Sequence, residues 1–579
     1  MESSKRAAQL EVRIAARLRR LYGERSADCH DRLRGLIAFH RSSLRRSTAS
    51  SALWDQTSSV LITYGDTVRS PHELPLRTLE RFLDRYLRGA VDLVHVLPFC
   101  PSSSDDGFSV IDYRAVDPAL GSWDDLRRLG RRFGLMFDLV LNHASRQSRW
   151  FESYLAGTPP HDGFFLEASP DDDLSTVVRP RSSPLLTPVE TARGQRHVWT
   201  TFSDDQIDLD YGNPALLLEL LEVFLRYLSF GARVVRLDAV AYLWKELGTS
   251  CIHLPQTHEV VKLLRDVADL VAPGTLILTE TNVPHRENIS YFGDGDEAHA
   301  VYQFSLPPLL LHALHSGDAR YLNDWAGALP TLGPTCTFLN FTASHDGVGV
   351  RPLEGLLPRA ELTRLIEATR VRGGRVSLKR DADGRDSPYE LNITYFDALG
   401  MPGEPPALHV ARFLCSQTVA LSLRGIPAIY LHSLTATSND LEGVAASGRA
   451  RSINRRRWDE FELRRRLATP ASTAHQVFFE YRRRLRCRAR HPAFHPDASQ
   501  ELMDAGDALF VITRRAPSGG EVVLAVHNLS PHHVALPAAL TAQLERRRWS
   551  DLLTAEEGDD VTSLAPYQCR WLSHRSERT

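Results

Sequence analysis

Arg236 and Asp238 stand two positions apart in "VRLDAV" (235–240). Val235, Leu237, Ala239 and Val240 suit a buried strand, where residues i and i+2 share a face. The arginine and the aspartate therefore point to the same side. In any one strand such a pair is more often a structural ion pair. Three further runs end in comparable groups: Asp138, Asn142 and His143 in "GLMFDLVLNH", Glu280 in "TLILTE", and His345 with Asp346 in "CTFLNFTASHD". A single strand-end carboxylate usually caps the next helix. Four carboxylates, two histidines and an arginine on four strands are costly to bury without a use. Cleavage of a glycosidic bond with retention of configuration uses such a set. It needs two carboxyls about 5 Å apart, one ionised to attack and one protonated to donate. An arginine beside the attacking carboxylate keeps its pKa low, so Arg236 is expected to hold Asp238 ionised.

These groups must converge, and the chain supplies the means. Eight short apolar runs alternate with stretches of helical length: 59–66, 91–99, 134–143, 232–240, 275–280, 300–304, 336–346 and 425–433. Near-continuous apolar runs suit strands buried on both faces of a parallel sheet. Eight of them predict an α/β fold, a (β/α)8 barrel over 56–495, whose strand ends meet at one mouth. Two connections are too long to be simple loops. Residues 144–205 read as an inserted domain after the third strand, and 351–410 as an insertion after the seventh. Residues 496–579 read as a C-terminal antiparallel β domain. Residues 1–55 form a helical extension in which Leu10, Val12, Ile14, Leu18 and Leu21 mark an amphipathic surface helix. The arginines among them read as a solvated face.

Composition narrows the function classes. Of 579 residues, 43% are hydrophobic and 24% charged, with a net charge of −2, so no basic field points to nucleic acid or membrane. Seven scattered cysteines include no CxxC, which argues against zinc and disulfides and for a reducing compartment. The first residues carry no signal-peptide core and no apolar run of about 18 residues occurs. A cytoplasmic protein, monomer or homodimer, is expected.

The stretches "DLVLNH", "RVVRLDAV", "LTET" and "FTASHD" resemble, in order, the four signature regions of the α-amylase superfamily, glycoside hydrolase family 13. The resemblance runs over about residues 59–460. It implies Asp238 as nucleophile, Glu280 as general acid/base and Asp346 as the third carboxylate, which binds sugar hydroxyls and stabilises the oxocarbenium-like transition state. It implies His143, His345 and Arg236 in the glucose subsite. "LITYGD", "VHVLPFCPSSSDDGFSVIDYRAVDPALGSWDD" and "SHDGVGV" are similar to the sucrose phosphorylase group. There Asp105 matches an aspartate gripping the glucose 4-OH, Phe108 an aromatic platform and Arg451 an arginine closing the subsite. The pocket would then take one sugar.

The N-terminal extension, "SHDGVGVRPLEG" and the segment after the eighth strand are most similar to the glucosylglycerate phosphorylases of that group. The activity implied is reversible phosphorolysis of 2-O-α-glucosyl-D-glycerate to α-D-glucose 1-phosphate and D-glycerate, with inorganic phosphate as co-substrate and no cofactor. Phosphorylases of sucrose, sucrose 6′-phosphate or glucosylglycerol, and an α-glucoside hydrolase or transglucosylase, are the alternatives. A non-catalytic carbohydrate-binding barrel fits poorly, because the three carboxylates are intact. Asn142 matches a calcium-binding position of many α-amylases that this group generally lacks, so no metal is expected. Since phosphate and glycerate are both anions, a cationic clamp is expected outside the glucose subsite, with Arg351, Arg449 and His432 as candidates. Arg351 could instead pair with Glu354 on the surface.

Overall fold

The computed structural model describes residues 2–44, 52–380, 385–554 and 561–575. Positions 45–51 of the extension, 381–384 of the second insertion, and 555–560 and 576–579 at the C-terminus lie outside the described residues. Eight parallel strands close a barrel: β1 (Val60–Thr63), β2 (Leu93–Val96), β3 (Gly134–Val140), β4 (Ala232–Asp238), β5 (Leu276–Thr279), β6 (Ala300–Tyr302), β7 (Thr337–Phe341) and β8 (Ile426–Tyr430). Each lies within one of the eight apolar runs. Strand β1 pairs with both β2 and β8, which closes the ring. The strands are buried nearly throughout, as surrounding helices require.

Register explains why the charged groups gather. On β3 and β4, Asp138 lies opposite Arg236. Cross-strand partners share a face, and Asp238 lies two residues further along the same face. Helix-side residues such as Val235 and Leu237 are fully buried on the other.

Two helices precede the barrel, α1 (Glu2–Tyr22) and α2 (Ser26–Leu44). They pack on α3 (Pro214–Ser229) and α4 (Pro255–Val271), adding an outer layer to that side. Leu10, Ile14 and Leu18 are buried there, spaced at one helical face. Val12 departs from the expected stripe: it is 70% exposed, because it falls on the opposite face. The arginines are not all solvated either. Arg17 is buried and reaches Asp266 (2.6 Å), Asp296 (3.0 Å) and Glu259 (3.5 Å). The extension is thus keyed to the barrel by charge as well as by apolar contact.

Between β3 and β4 the chain builds two small antiparallel pairs, His143–Ser145 with Gln206–Asp208 and Leu186–Thr191 with Gly194–Trp199. After β7 it builds a three-stranded sheet from Val348–Gly349, Asp386–Asn392 and Arg375–Arg380. A five-stranded antiparallel sheet follows the last barrel helix, running from Ser499–Met503 to Cys569–Arg575. It is tied to the barrel where Trp571 Nε1 and Arg514 both donate to Ser422.

Candidate active site

The ends of β3, β4, β5 and β7 meet at one mouth. A cleft of about 620 Å³ there is lined by Asp105, Phe108, His143, Asp238, Glu280, His345, Asp346 and Arg451 among others.

Arg236 is the hub beneath the cleft. It donates to Asp138 Oδ1 at 2.5 Å and Asp238 Oδ1 at 2.8 Å, and lies 4.0 Å from Glu280. Its guanidinium also stacks under Phe108 and Tyr302. Asp138 is completed by His95 Nε2 at 2.6 Å. Although burial alone would raise Asp138, His95 and Arg236 hold it at about 2.

The arginine's effect on Asp238 is smaller than expected from the strand alone. Burial is the dominant influence and pushes Asp238 up, Glu280 and Asp138 add to it, and Arg236 opposes them. The reason is sharing: one guanidinium serves two carboxylates, both out of water. Burial and Asp346 likewise raise Glu280, again against Arg236. Arg236 touches Asp238 directly but Glu280 only at 4.0 Å, so its opposition to burial acts most directly on Asp238.

A backbone contact aligns these two carboxyls. Ala239, directly after Asp238, sits in the left-handed region at φ 50°, a strained setting for a residue with a Cβ. There its N–H donates to Glu280 Oε2 at 3.1 Å.

Asp346 is held in the opposite electrostatic regime. Burial would raise it, but Arg451, His345 and Arg455 together pull it well below the usual carboxylate range. Arg451 reaches Asp346 Oδ1 at 2.6 Å and is itself gripped by Glu390. His345 stacks on Phe108, with ring centroids 4.9 Å apart and planes 7° from parallel. His143 Nε2 donates to the Phe108 carbonyl at 2.9 Å. Burial lowers the pKa of both histidines, so they present neutral imidazoles, suited to sugar hydroxyls.

Several contributors escaped the sequence reading. His95 and Gln206 sit in unremarkable strand contexts, and Glu390 and Tyr389 come from the insertion after β7. Arg181, from the insertion after β3, lines the cleft between the rings of Tyr389 (5.2 Å) and Phe202 (5.8 Å). Among the described residues it has no carboxylate partner, whereas Arg451, the other arginine lining the cleft, has two.

The three candidates for the anion clamp lie elsewhere. Arg351 does not line the cleft; its nearest carboxylate is Glu287 at 3.9 Å rather than Glu354. His432 is buried against Tyr430, its Nε2 bonded to the Arg456 carbonyl at 2.7 Å. Arg449 faces a second cleft, 3.9 Å from Asp106. Distance along the loops after β7 and β8 does not reveal which way a side chain turns.

Asn142, the position expected not to bind calcium, is paired with a lysine. Lys245 Nζ lies 2.9 Å from Asn142 Oδ1 and 2.8 Å from Asp208 Oδ2, so an ammonium fills the place a cation would take. Among the described residues, no group of three or more His, Cys, Asp or Glu side chains could hold a metal ion. No helix among them is long and apolar enough to cross a membrane.

Residues 85–328 match the model of the α-amylase catalytic domain. A glucosylglycerate phosphorylase of Spirochaeta thermophila is 48% identical over 515 residues, 88% of each chain. That of Allomeiothermus silvanus is 45% identical over 567 residues, 97% of this chain and 99% of its own. The crystal structure of sucrose 6F-phosphate phosphorylase from Thermoanaerobacter thermosaccharolyticum superposes with a TM-score of 0.71 at 26% identity, covering 82% of this chain and 94% of its own. With the barrel, the clustered carboxylates and near-full-length identity in agreement, the chain belongs to the glucosylglycerate phosphorylase family of the α-amylase superfamily.

Proposed function

We propose that the protein catalyses reversible phosphorolysis of 2-O-α-glucosyl-D-glycerate to α-D-glucose 1-phosphate and D-glycerate. Asp238 attacks the anomeric carbon while Glu280 protonates the departing glycerate oxygen. The bond from carbon to glycerate breaks as the bond to Asp238 forms. Phosphate then enters the vacated space, attacks the same carbon and releases Asp238; its hydroxyl proton returns to Glu280. Two inversions restore the α configuration. Asp346, held ionised, supports the positive charge that develops on the sugar ring, and His143, His345, Asp105 and Arg451 hold glucose hydroxyls.

Arg181 carries the acceptor reading. Glycerate and phosphate occupy the same space in turn, and both are anions that accept two parallel N–H bonds. Among the described residues, Arg181 is the cleft arginine with a guanidinium free of carboxylates. No cofactor or metal is assigned to the reaction. Seven free thiols suit a reducing, cytoplasmic setting.

The test is synthesis. The enzyme is incubated with α-glucose 1-phosphate and D-glycerate, glycerol, fructose or fructose 6-phosphate, and released phosphate is measured. Glycerate should release it fastest. A faster neutral acceptor would replace this specificity with a sister one, and release without any acceptor would indicate hydrolysis.

A further inference from the structure

Arg455 does not line the catalytic cleft, yet it touches both walls of it from behind. Its Nε donates to the His345 carbonyl at 2.8 Å, and its Nη1 meets Asp106 at 2.5 Å. Its Nη2 lies 3.6 Å from Asp346 Oδ1 and has no hydrogen-bond partner. The guanidinium is buried, 5.7 Å from the Tyr64 ring centroid. One end of this arrangement is the terminus of β7, with His345 and Asp346. The other is the loop Ser104–Phe108, whose Asp105 and Phe108 face the cleft.

That loop does not hold its shape unaided. Asp105 and Asp106 are successive residues in the left-handed region, at φ 51° and 48°, which side chains bearing a Cβ disfavour. Gly107 follows at φ 112°, where a Cβ would come within 2.7 Å of the Pro98 carbonyl oxygen. The turn sends Asp105 into the catalytic cleft and Asp106 into a second cleft behind it, shared with Arg449 and Arg455. Asp205, bonded to Ser103, Ser104 and Ser109, tethers the loop to the insertion after β3. Arg455 tethers it to the barrel.

We propose that Arg455, pinned by Asp106, is a positioning residue that sets the separation between the Asp105–Phe108 wall and the His345–Asp346 wall of the glucose pocket. The proposal rests on the reading of that cleft as the glucose site. Lysine cannot replace the arginine, because one ammonium cannot reach the Asp106 carboxylate, the His345 carbonyl and Asp346 in the same fixed geometry. Asp106 meets Arg455 at 2.5 Å and Arg449 only at 3.9 Å, so Asp106 and Arg455 act as one unit.

The experiment is a double-mutant cycle on the full chain with Asp106→Ala, Arg455→Met and the double variant, plus Arg455→Lys. Each is assayed for competitive inhibition by glucose, which fills only the glucose pocket, and by sulfate, which mimics the acceptor anion. Glucose inhibition should weaken at least tenfold in each single variant and no further in the double. Sulfate inhibition should stay within twofold of wild type, and Arg455→Lys should recover less than half of the lost glucose affinity on a logarithmic scale. Losses that add, equal weakening towards glucose and sulfate, or glucose inhibition within twofold of wild type in a folded variant would overturn the proposal. Should Arg455→Met fail to fold, Asp106→Ala and Asp106→Asn still decide it, because Asp106 is partly exposed and Asp106→Asn keeps an oxygen acceptor for the buried guanidinium. Wild-type phosphate release with glycerate is the control: its absence would defeat the functional reading and not this one.

Discussion

Arg451 grips Glu390 with two hydrogen bonds, Nε to Oε1 at 3.0 Å and Nη2 to Oε2 at 2.6 Å, and turns its remaining nitrogen to Asp346. Glu390 is buried in the sheet after β7, and it fixes a side chain borne on the loop after β8. Truncating one partner of a buried ion pair costs about 3–5 kcal/mol, because the other charge is left uncompensated. Glu390→Ala should therefore lower the melting temperature and cut kcat/KM for glucose 1-phosphate by about a hundredfold or more. Thermal unfolding and initial rates check it; an unchanged kcat/KM would show that Asp346 alone orients Arg451.

Asp238→Ala removes the proposed covalent route. A nucleophile contributes several decades of rate, and the remaining binding groups supply only a residue. Phosphate release from glucose 1-phosphate with glycerate should fall below a thousandth of wild type, in a variant with native circular dichroism. A folded variant above a tenth of wild-type rate would refute the role.

Glu280 supplies a pH signature with a definite sign. Burial, then Asp346, raises its folded pKa above the unfolded value, so between the two values the folded state binds more protons than the unfolded. Its contribution to stability is present at low pH, is lost as pH rises through that window, and leaves a penalty above it. Glu280→Gln lacks the penalty, so its melting temperature should gain on wild type between pH 4.5 and pH 8. The same variant should lose the fall in rate on the alkaline side of the pH profile. A melting difference equal at both pH values would show that the carboxyl pays nothing for burial.

Lys245 neutralises Asp208, whose side chain is fully buried. Lys245→Ala should destabilise the protein by about 3–5 kcal/mol, the usual result of stranding a buried charge. With the ammonium in place, EDTA should leave wild-type activity unchanged. Loss of activity in EDTA, restored by one divalent ion, would displace this account.

Arg181→Ala should raise the KM for glycerate and for phosphate together, each by roughly 10- to 150-fold, the equivalent of a charged hydrogen bond of about 1.5–3 kcal/mol. Inhibition by glucose should not change. A rise for only one of the two anions would assign them separate sites. Arg351→Ala, whose guanidinium lies outside the cleft lining, should affect both much less.

The barrel was legible because burial on both faces writes itself into each strand as an apolar run, and eight such runs with helical spacers admit few architectures. The carboxylates and histidines were legible for the same reason: a charge at the end of a buried run is conspicuous. Nothing comparable marks Glu390 or Arg181. Each lies in a polar insertion whose composition resembles ordinary surface loop, and only folding carries Glu390 to Arg451 and Arg181 to the rings of Tyr389 and Phe202. Arg351, Arg449 and His432 show the converse, for they lie outside the lining of the cleft, and nearness to a strand end does not determine which way a loop side chain turns. The sequence by itself determined the fold and the set of charged groups at the strand ends, since strand periodicity is local. Tertiary structure decided the pocket walls, which arginines line the cleft and the balance at Asp238, because those depend on contacts between segments distant in the chain and on how many carboxylates share one buried arginine.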